Sequence, residues 1–315
     1  MPTLLTNRKM DAALRARIER SLEARGSAEA SAARLRALMR FASLAIVVFA
    51  IGYMISKRHA AKSALETQRT TLLDSWTKKT SDITPEDKKA LARDEALLES
   101  LAGVYQGDHA ESVPQLASRT IVYVRGPIES FRSTATIPKA AAQSLEDPFA
   151  RCFVEPPRTK GERDVLAKVR AVYTGSVGGL KNLERLETAY ATKRLLDQEW
   201  IGRAKNSPSE RELGVMQTEL DHTPFDRALI AWRAELLLAV MDEPGDASVP
   251  AELDGERPHD VRVALVETKT GHALLRMHAH VDPSVWNAGT RPEYASGLDA
   301  CALAFEARAL LASPR

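Results

Sequence analysis

Three polar side chains in the segment HAHVD have the right types and spacing to bind a metal ion: His278, His280 and Asp282. Successive side chains of a β-strand point to opposite faces, so on a strand these three would share one face. Two imidazoles and one carboxylate form a ligand set that binds Zn²⁺ or Fe²⁺. The spacing therefore suggests a metal-dependent hydrolase as one hypothesis for the function.

This segment resembles the first half of the metallo-β-lactamase signature, in which a further histidine follows the aspartate. Here Pro283 follows Asp282, and the segment lies near the end of the chain rather than near the start of a fold. Arg276 would share the polar face and would repel a cation. An amphipathic strand with one solvated side explains the same pattern, so we expect no cofactor and keep the hydrolase as an alternative.

A second segment, LLLAVMDEPGD, resembles the second nucleotide-binding motif of P-loop ATPases, in which an Asp holds Mg²⁺ and a Glu positions water. Asp242 and Glu243 would take those roles. The segment GSVGGLKN, residues 175–182, resembles the phosphate-binding loop, with Lys181 as its lysine. However, Leu180 and Asn182 replace the residues expected beside that lysine, and helical periodicity precedes a loop that should follow a strand. A degenerate ATPase is therefore the second alternative.

Other catalytic patterns are absent from the sequence, which contains no Gly-x-Ser-x-Gly motif and no catalytic-cysteine context. This absence favours a binding or scaffolding module over an enzyme. Loops at the ends of sheets often carry function. We therefore place the candidate binding surface on the polar face of a predicted hairpin and the loop before it: Glu256, Arg257, His259, Arg276 and His278. Ordinary solvated surface is the alternative explanation of these residues.

The sixteen residues 41–56 carry no charge and are nearly all apolar. A membrane-spanning helix needs about 20 residues, and Arg40 and Lys57 can extend this one by reaching the interfaces with their long side chains. A buried core helix would keep one polar face, which this segment lacks. Lys57 and Arg58 follow it where a cleavage site would need small residues, so we expect an uncleaved signal anchor that contacts the lipid bilayer.

Charge is unevenly distributed along the chain. Residues 1–40 contain nine Lys or Arg and four Asp or Glu, whereas residues 57–315 contain 35 and 38. Basic segments stay in the cytoplasm, so we expect an inner (plasma) membrane protein with its main domain outside, facing an envelope protein or a cell-wall partner. The overall charge of +2 gives no indication of nucleic-acid binding.

The chain has two cysteines, Cys152 and Cys301, and both lie in apolar surroundings. In an exported domain they would form one disulfide, which we expect to join an early strand to the last helix. Two buried free thiols are the alternative, because free cysteine is among the most buried residue types.

Backbone patterns predict an α+β fold in four parts. These are a basic tail with an amphipathic helix (1–40), the transmembrane helix (41–56), a helical stalk (57–111) and a globular domain (112–315). In the stalk, Thr84 and Pro85 mark the start of a helix.

Within the globular domain, β-rich or alternating segments predict strands at 119–126, 149–157 and from 236, followed by a hairpin around 261–281 with Gly271 in its turn. Helical spacing predicts helices at 165–172, 180–196, 210–220, after Thr223, and at 292–311. We expect about five strands in an antiparallel or mixed sheet with helices on one face.

Overall fold

The computed structural model describes residues 12–144, 148–176, 180–249, 257–282, 285 and 292–312. The chain forms two compact units with the boundary between Gln68 and Arg69. The long helix α1 (Ala12–Thr80) crosses this boundary. The second unit also contains the helices α2 (Pro85–Leu101), α3 (Ile137–Gln143), α4 (Pro148–Val154), α5 (Glu162–Tyr173), α6 (Leu186–Leu196), α7 (Gln198–Asn206), α8 (Glu210–His222), α9 (Phe225–Trp232) and α10 (Pro292–Ala312).

Within the described ranges, six strands form one mixed sheet in the order β1-β6-β5-β4-β2-β3. Strand β2 pairs in parallel with β3 and β4, and the pairs β4–β5, β5–β6 and β6–β1 are antiparallel. The strands are β1 (His109–Ala110), β2 (Ile121–Pro127), β3 (Leu183–Arg185), β4 (Leu236–Asp242), β5 (His259–Glu267) and β6 (Ala273–Val281). The α+β class and the mixed sheet are as expected, with one strand more.

Helices cover both faces of the sheet, so the expectation of helices on one face is wrong. Residues of α4, α5 and α10 pack on one face, which we call the α10 face, and residues of α2, α3, α6 and α9 pack on the other, the α2 face. The cause is strand β4, in which Leu236 to Met241 are all buried. A strand with apolar side chains in both directions needs a cover on both sides.

Two segments differ from the predicted secondary structure. Residues 149–157 were expected to form a strand, but Pro148–Val154 is helix α4 and is buried along its whole length. A short apolar run does not distinguish a buried helix from a strand by its periodicity. The predicted helix at 180–196 begins with strand β3, whose Leu183 pairs in parallel with Ile121, and becomes helical only at Leu186.

Local signals in the sequence predict two other features correctly. Thr84 caps helix α2 through its side chain, and the Asp87 carboxylate accepts a hydrogen bond from the Thr84 backbone in return, which completes a capping box. In the β5–β6 hairpin, Gly271 has a φ of 72°, a conformation that a residue without Cβ adopts at little cost.

Helix α1 contains an apolar segment whose side chains face solvent. Over Leu38–Thr80 it is long and apolar enough to cross a membrane, and none of its most apolar window is buried. Phe41 and Phe49 are more than 70% exposed. From Arg69 onwards the same helix belongs to the second unit, where the Trp76 indole donates a hydrogen bond to the Leu195 carbonyl at 2.8 Å.

The two cysteines form a disulfide, Cys152–Cys301, with Cα atoms 5.3 Å apart. Both residues are fully buried on the α10 face. Because Cys152 lies on α4, the disulfide joins two helices, α4 and α10, rather than a strand and a helix as expected.

Candidate binding cleft and histidine–carboxylate cluster

The β5–β6 hairpin has one apolar face and one polar face. Val261 and Val263 of β5 are buried on the α10 face. Arg262 pairs across the strands with Met241 of β4 and His278 of β6, so these side chains lie on the α2 face. On that face the polar side chains of two adjacent strands are brought together.

Four residues form what we call the histidine–carboxylate cluster: Glu243, Asp260, His278 and His280. His278 Nε2 lies 3.4 Å from Glu243 Oε2 and 3.9 Å from Asp260 Oδ2. His280 Nδ1 lies 2.8 Å from Asp260 Oδ1. The ligand atoms of Glu243, Asp260 and His278 all lie within 4.8 Å of one another. The cluster therefore presents two carboxylates and an imidazole to one point.

Arg262 and Tyr105 border this cluster. The Arg262 guanidinium donates to Glu243 Oε1 and, at 2.7 Å, to the Gly103 carbonyl. It also stacks 5.4 Å from the centre of the Tyr105 ring, which contacts the His278 ring at the same centroid distance. Burial, together with the hydrogen bond that the phenol donates to the Asp108 carboxylate, raises the pKa of Tyr105, so this ring stays neutral between the two side chains.

A cavity of about 470 Å³ lies next to the cluster, between the C-terminal half of α2 and the α2 face of the hairpin. We call it the cleft. Its apolar lining includes Leu97, Leu101 and Met241. The remaining lining consists of charged or polar side chains, among them Tyr105, Gln106, His109, Glu111, Arg262, His272 and Arg276.

Arg276 supplies a charge to the cleft. Its guanidinium donates to the Gln106 side-chain oxygen, and its Nε is buried without a hydrogen-bond acceptor. The ion pairs found in the described part of the chain include no carboxylate partner for Arg276. By contrast, the charge of Arg262 is matched by Glu243. The cleft therefore carries one guanidinium whose charge is not neutralised by an adjacent carboxylate.

The other end of the cleft carries a second histidine–carboxylate contact. Glu111 Oε1 lies 2.9 Å from His272 Nε2 and 3.1 Å from His109 Nε2. Hydrogen bonds from His272 and His109 lower the pKa of the Glu111 carboxyl. Glu111 therefore remains ionised here and is shared by two imidazoles.

A separate polar group lies on the opposite face, at the carboxyl ends of β2 and β4. Arg125 donates to both oxygens of Asp242, with a closest distance of 2.9 Å, and His259 Nε2 lies 3.4 Å from Asp242 Oδ1. Burial opposes ionisation of Asp242, but the charge of Arg125 and hydrogen bonds from both partners outweigh it, so the pKa lies below its usual range. This carboxylate is already fully paired by the protein.

The five residues of the predicted binding surface do not lie together in the structure. Arg276 and His278 lie on the α2 face, whereas the His259 side chain turns to Asp242 on the other face. The Arg257 guanidinium donates to the Val249 carbonyl, and Glu256 lies outside the described residues. The two β6 residues thus belong to the cleft and the cluster, and His259 does not.

The structure also rearranges the predicted HAHVD metal ligands. His278 and His280 share one face, as the alternation predicts, but Asp282 lies one residue past the end of β6. Among the described residues, the converging group contains Glu243 and Asp260 beside His278 instead. Sequence spacing missed these two carboxylates as partners, although the adjacent pairs Asp242-Glu243 and His259-Asp260 at neighbouring strand ends were visible in the sequence.

The ATPase hypothesis finds no geometric support. Gly175 follows helix α5, and Asn182 precedes strand β3, the reverse of the strand–loop–helix order that a phosphate-binding loop requires. Residues 177–179 of the segment lie outside the described residues. Lys181 is at the amino end of β3 and Asp242 at the carboxyl end of β4; both strands run parallel to β2, so these residues lie at opposite ends of the sheet.

Comparison of the chain with protein-family models, curated proteins and solved structures gave no match. The functional assignment therefore depends on the chemistry of the cleft and the cluster.

Proposed function

We propose that the protein is a single-pass membrane protein whose second unit lies outside the cytoplasm and binds a carboxylate-bearing partner, an envelope protein or a cell-wall component, in the cleft. The observation that carries this proposal is Arg276, a guanidinium that lines the cleft and whose hydrogen-bond acceptor among the described side chains is the neutral amide of Gln106.

The proposed membrane placement is supported by three independent features. The apolar segment of α1 leaves large side chains such as Phe41 and Ile46 exposed, which is costly in water and favourable in lipid. The Cys152–Cys301 disulfide is of a kind that persists in oxidising compartments and is rare in the cytosol. The basic residues 1–40 favour a cytoplasmic N-terminus.

The proposed ligand chemistry follows from the cleft. Guanidinium groups pair with carboxylates in a bidentate geometry, through two parallel hydrogen bonds between opposite charges. A ligand carboxylate that displaces the Gln106 amide from Arg276 therefore replaces a weaker acceptor with a stronger one. Leu97 and Leu101 would cover the aliphatic part of the ligand, and 470 Å³ lies within the range of about 300–1,000 Å³ typical of ligand pockets.

A protease-protection assay tests the orientation. A tag is fused after Arg315, and protease is added to cells from which the outer barrier has been removed. We expect the tag to be cleaved while the inner membrane is intact. A tag that is cleaved only after detergent is added would contradict the proposed placement.

Site-specific cross-linking tests the cleft. A photoreactive residue replaces Val104, which lines the cleft and is 91% exposed, or Val215 on α8, which is 62% exposed and serves as the matched control. We expect adducts in intact cells from position 104 alone, and we expect Arg276→Gln to reduce them. Equal adducts from both positions, or adducts unchanged by Arg276→Gln, would refute binding in the cleft.

A further inference from the structure

We propose that Glu243, Asp260 and His278 form a binding site for one divalent transition-metal ion of the Zn²⁺ type. This site differs from the HAHVD ligand set, because its carboxylates come from the residue after β4 and from the start of β5. It is independent of the proposed partner binding in the cleft, and either can fail without the other.

The three ligands lie on backbone that is held in register. The Glu243 amide donates to the Asp260 carbonyl at 2.8 Å, and Asp260 and His278 lie on paired strands. The His278 amide donates to the Asp108 carboxylate at 3.0 Å, and its ring packs against Tyr105. Two of the ligands therefore lie on paired strands, and a backbone hydrogen bond to β5 holds the third just after β4, which favours a preorganised site.

The spacing of the donor atoms is compatible with ligands of a shared ion, all three lying within 4.8 Å of one another. Hydrogen bonds between nitrogen and oxygen measure about 2.7–3.2 Å, whereas two atoms each about 2.0–2.1 Å from a tetrahedral Zn²⁺ lie about 3.4 Å apart. The distance from His278 Nε2 to Glu243 Oε2 is 3.4 Å. The distance to Asp260 Oδ2 is 3.9 Å, and the Asp260 side chain is half-exposed.

Both carboxylates use their second oxygen for an orienting contact. His280 Nδ1 lies 2.8 Å from Asp260 Oδ1, and Arg262 donates to Glu243 Oε1. Each carboxylate thus has one oxygen held by the protein and the other directed at His278. This is the arrangement of outer-shell partners around metal ligands, whose removal typically costs about 10–100-fold in affinity.

Charge sets the affinity that we expect. Two carboxylates and a neutral imidazole offset the charge of a divalent ion, but the Arg262 guanidinium opposes it. The expected affinity is therefore moderate. An imidazole in the ligand set favours Zn²⁺ or Co²⁺ over Mg²⁺, which prefers oxygen ligands.

The test is titration of the full-length, tag-free protein in detergent with Co²⁺ after dialysis against a chelator. We expect one Co²⁺ per chain, a visible spectrum typical of low coordination number, displacement by Zn²⁺ and no displacement by excess Mg²⁺. His278→Ala should weaken binding at least about 100-fold, and His280→Ala about 10–100-fold. His272→Ala, which removes another hairpin histidine at the Glu111 contact, is the matched control and should have no effect.

Thermal unfolding monitors the fold of each variant, and the near-isosteric Glu243→Gln provides the same test if His278→Ala does not fold. Absence of stoichiometric Co²⁺ binding would overturn the proposal, and so would binding that survives both His278→Ala and Glu243→Gln. A cluster held together by hydrogen bonds alone would give this negative result.

Discussion

Two aspartates of helix α2, Asp94 and Asp87, are both buried, yet their pKa values shift in opposite directions. Asp94 is 1% exposed, and burial raises its pKa to about 6 because the loss of hydration outweighs the charge and hydrogen bonds of Arg93. For Asp87, hydrogen bonds from Arg233 outweigh burial and, with those from Thr84, lower the pKa. We therefore expect the two carboxylates to make opposite contributions to stability.

The sign and size of the Asp94 effect follow from proton linkage. The pKa of this carboxyl in the unfolded chain is about 3.8, so the native state binds the proton more tightly. Its contribution to stability falls as pH rises from about 4 to about 6 and then stays constant. A difference of about two pH units, at about 1.36 kcal/mol each, corresponds to roughly 3 kcal/mol.

Asp94→Asn removes this ionisation and keeps an oxygen that can accept from Arg93. We expect the free energy of unfolding at pH 8 to rise by up to about 3 kcal/mol, and the gain to disappear near pH 4. The measurement is urea denaturation of the full-length protein in nonionic detergent, followed by tryptophan fluorescence at pH 4 to 8. Asp87→Asn is the matched control and should lower stability at pH 8, because a carboxyl with a lowered pKa stabilises the fold above its unfolded pKa. If Asp94→Asn is neutral or destabilising at pH 8, the argument from burial is refuted.

Three further predictions concern the fold and the membrane segment. Reduction of Cys152–Cys301, which are separated by 149 residues, should lower the free energy of unfolding by up to about 5 kcal/mol in the chain-entropy view, measured by denaturation with and without reductant. Gly271→Ala should cost about 1–2 kcal/mol, because alanine is strained at a φ of 72°; thermal unfolding measures this, and an unchanged Tm would contradict it. Ile46→Arg should cost about 3 kcal/mol of membrane insertion, so alkaline extraction should release the variant and not the wild type.

The parts of the fold that the sequence predicted well depend on local physics. Alternation in β5 and β6, the positive φ available to Gly271 and the Thr84 cap each involve neighbouring residues, and all three are found in the structure. Helix α4 could not be predicted in this way, because an apolar run buried on every side has no periodicity that reveals its backbone. The second helical layer was missed for a related reason: the fully apolar β4 implies two covered faces, but only tertiary packing shows which helices cover them.

The histidine–carboxylate cluster shows the same limit at a site. Alternation placed His278 and His280 on one face, but it could not select their carboxylate partners, because that selection depends on strand register across the sheet. Asp260 is opposite His280 in the antiparallel pairing, and Glu243 reaches His278 because the chain leaves β4 beside β5. A shift of one residue in either pairing would turn these side chains to the apolar face. The local motif therefore suggested Asp282, the next acid along the chain. The sheet instead brings to His278 two acids, Asp260 and Glu243, that precede it by 18 and 35 residues in the chain.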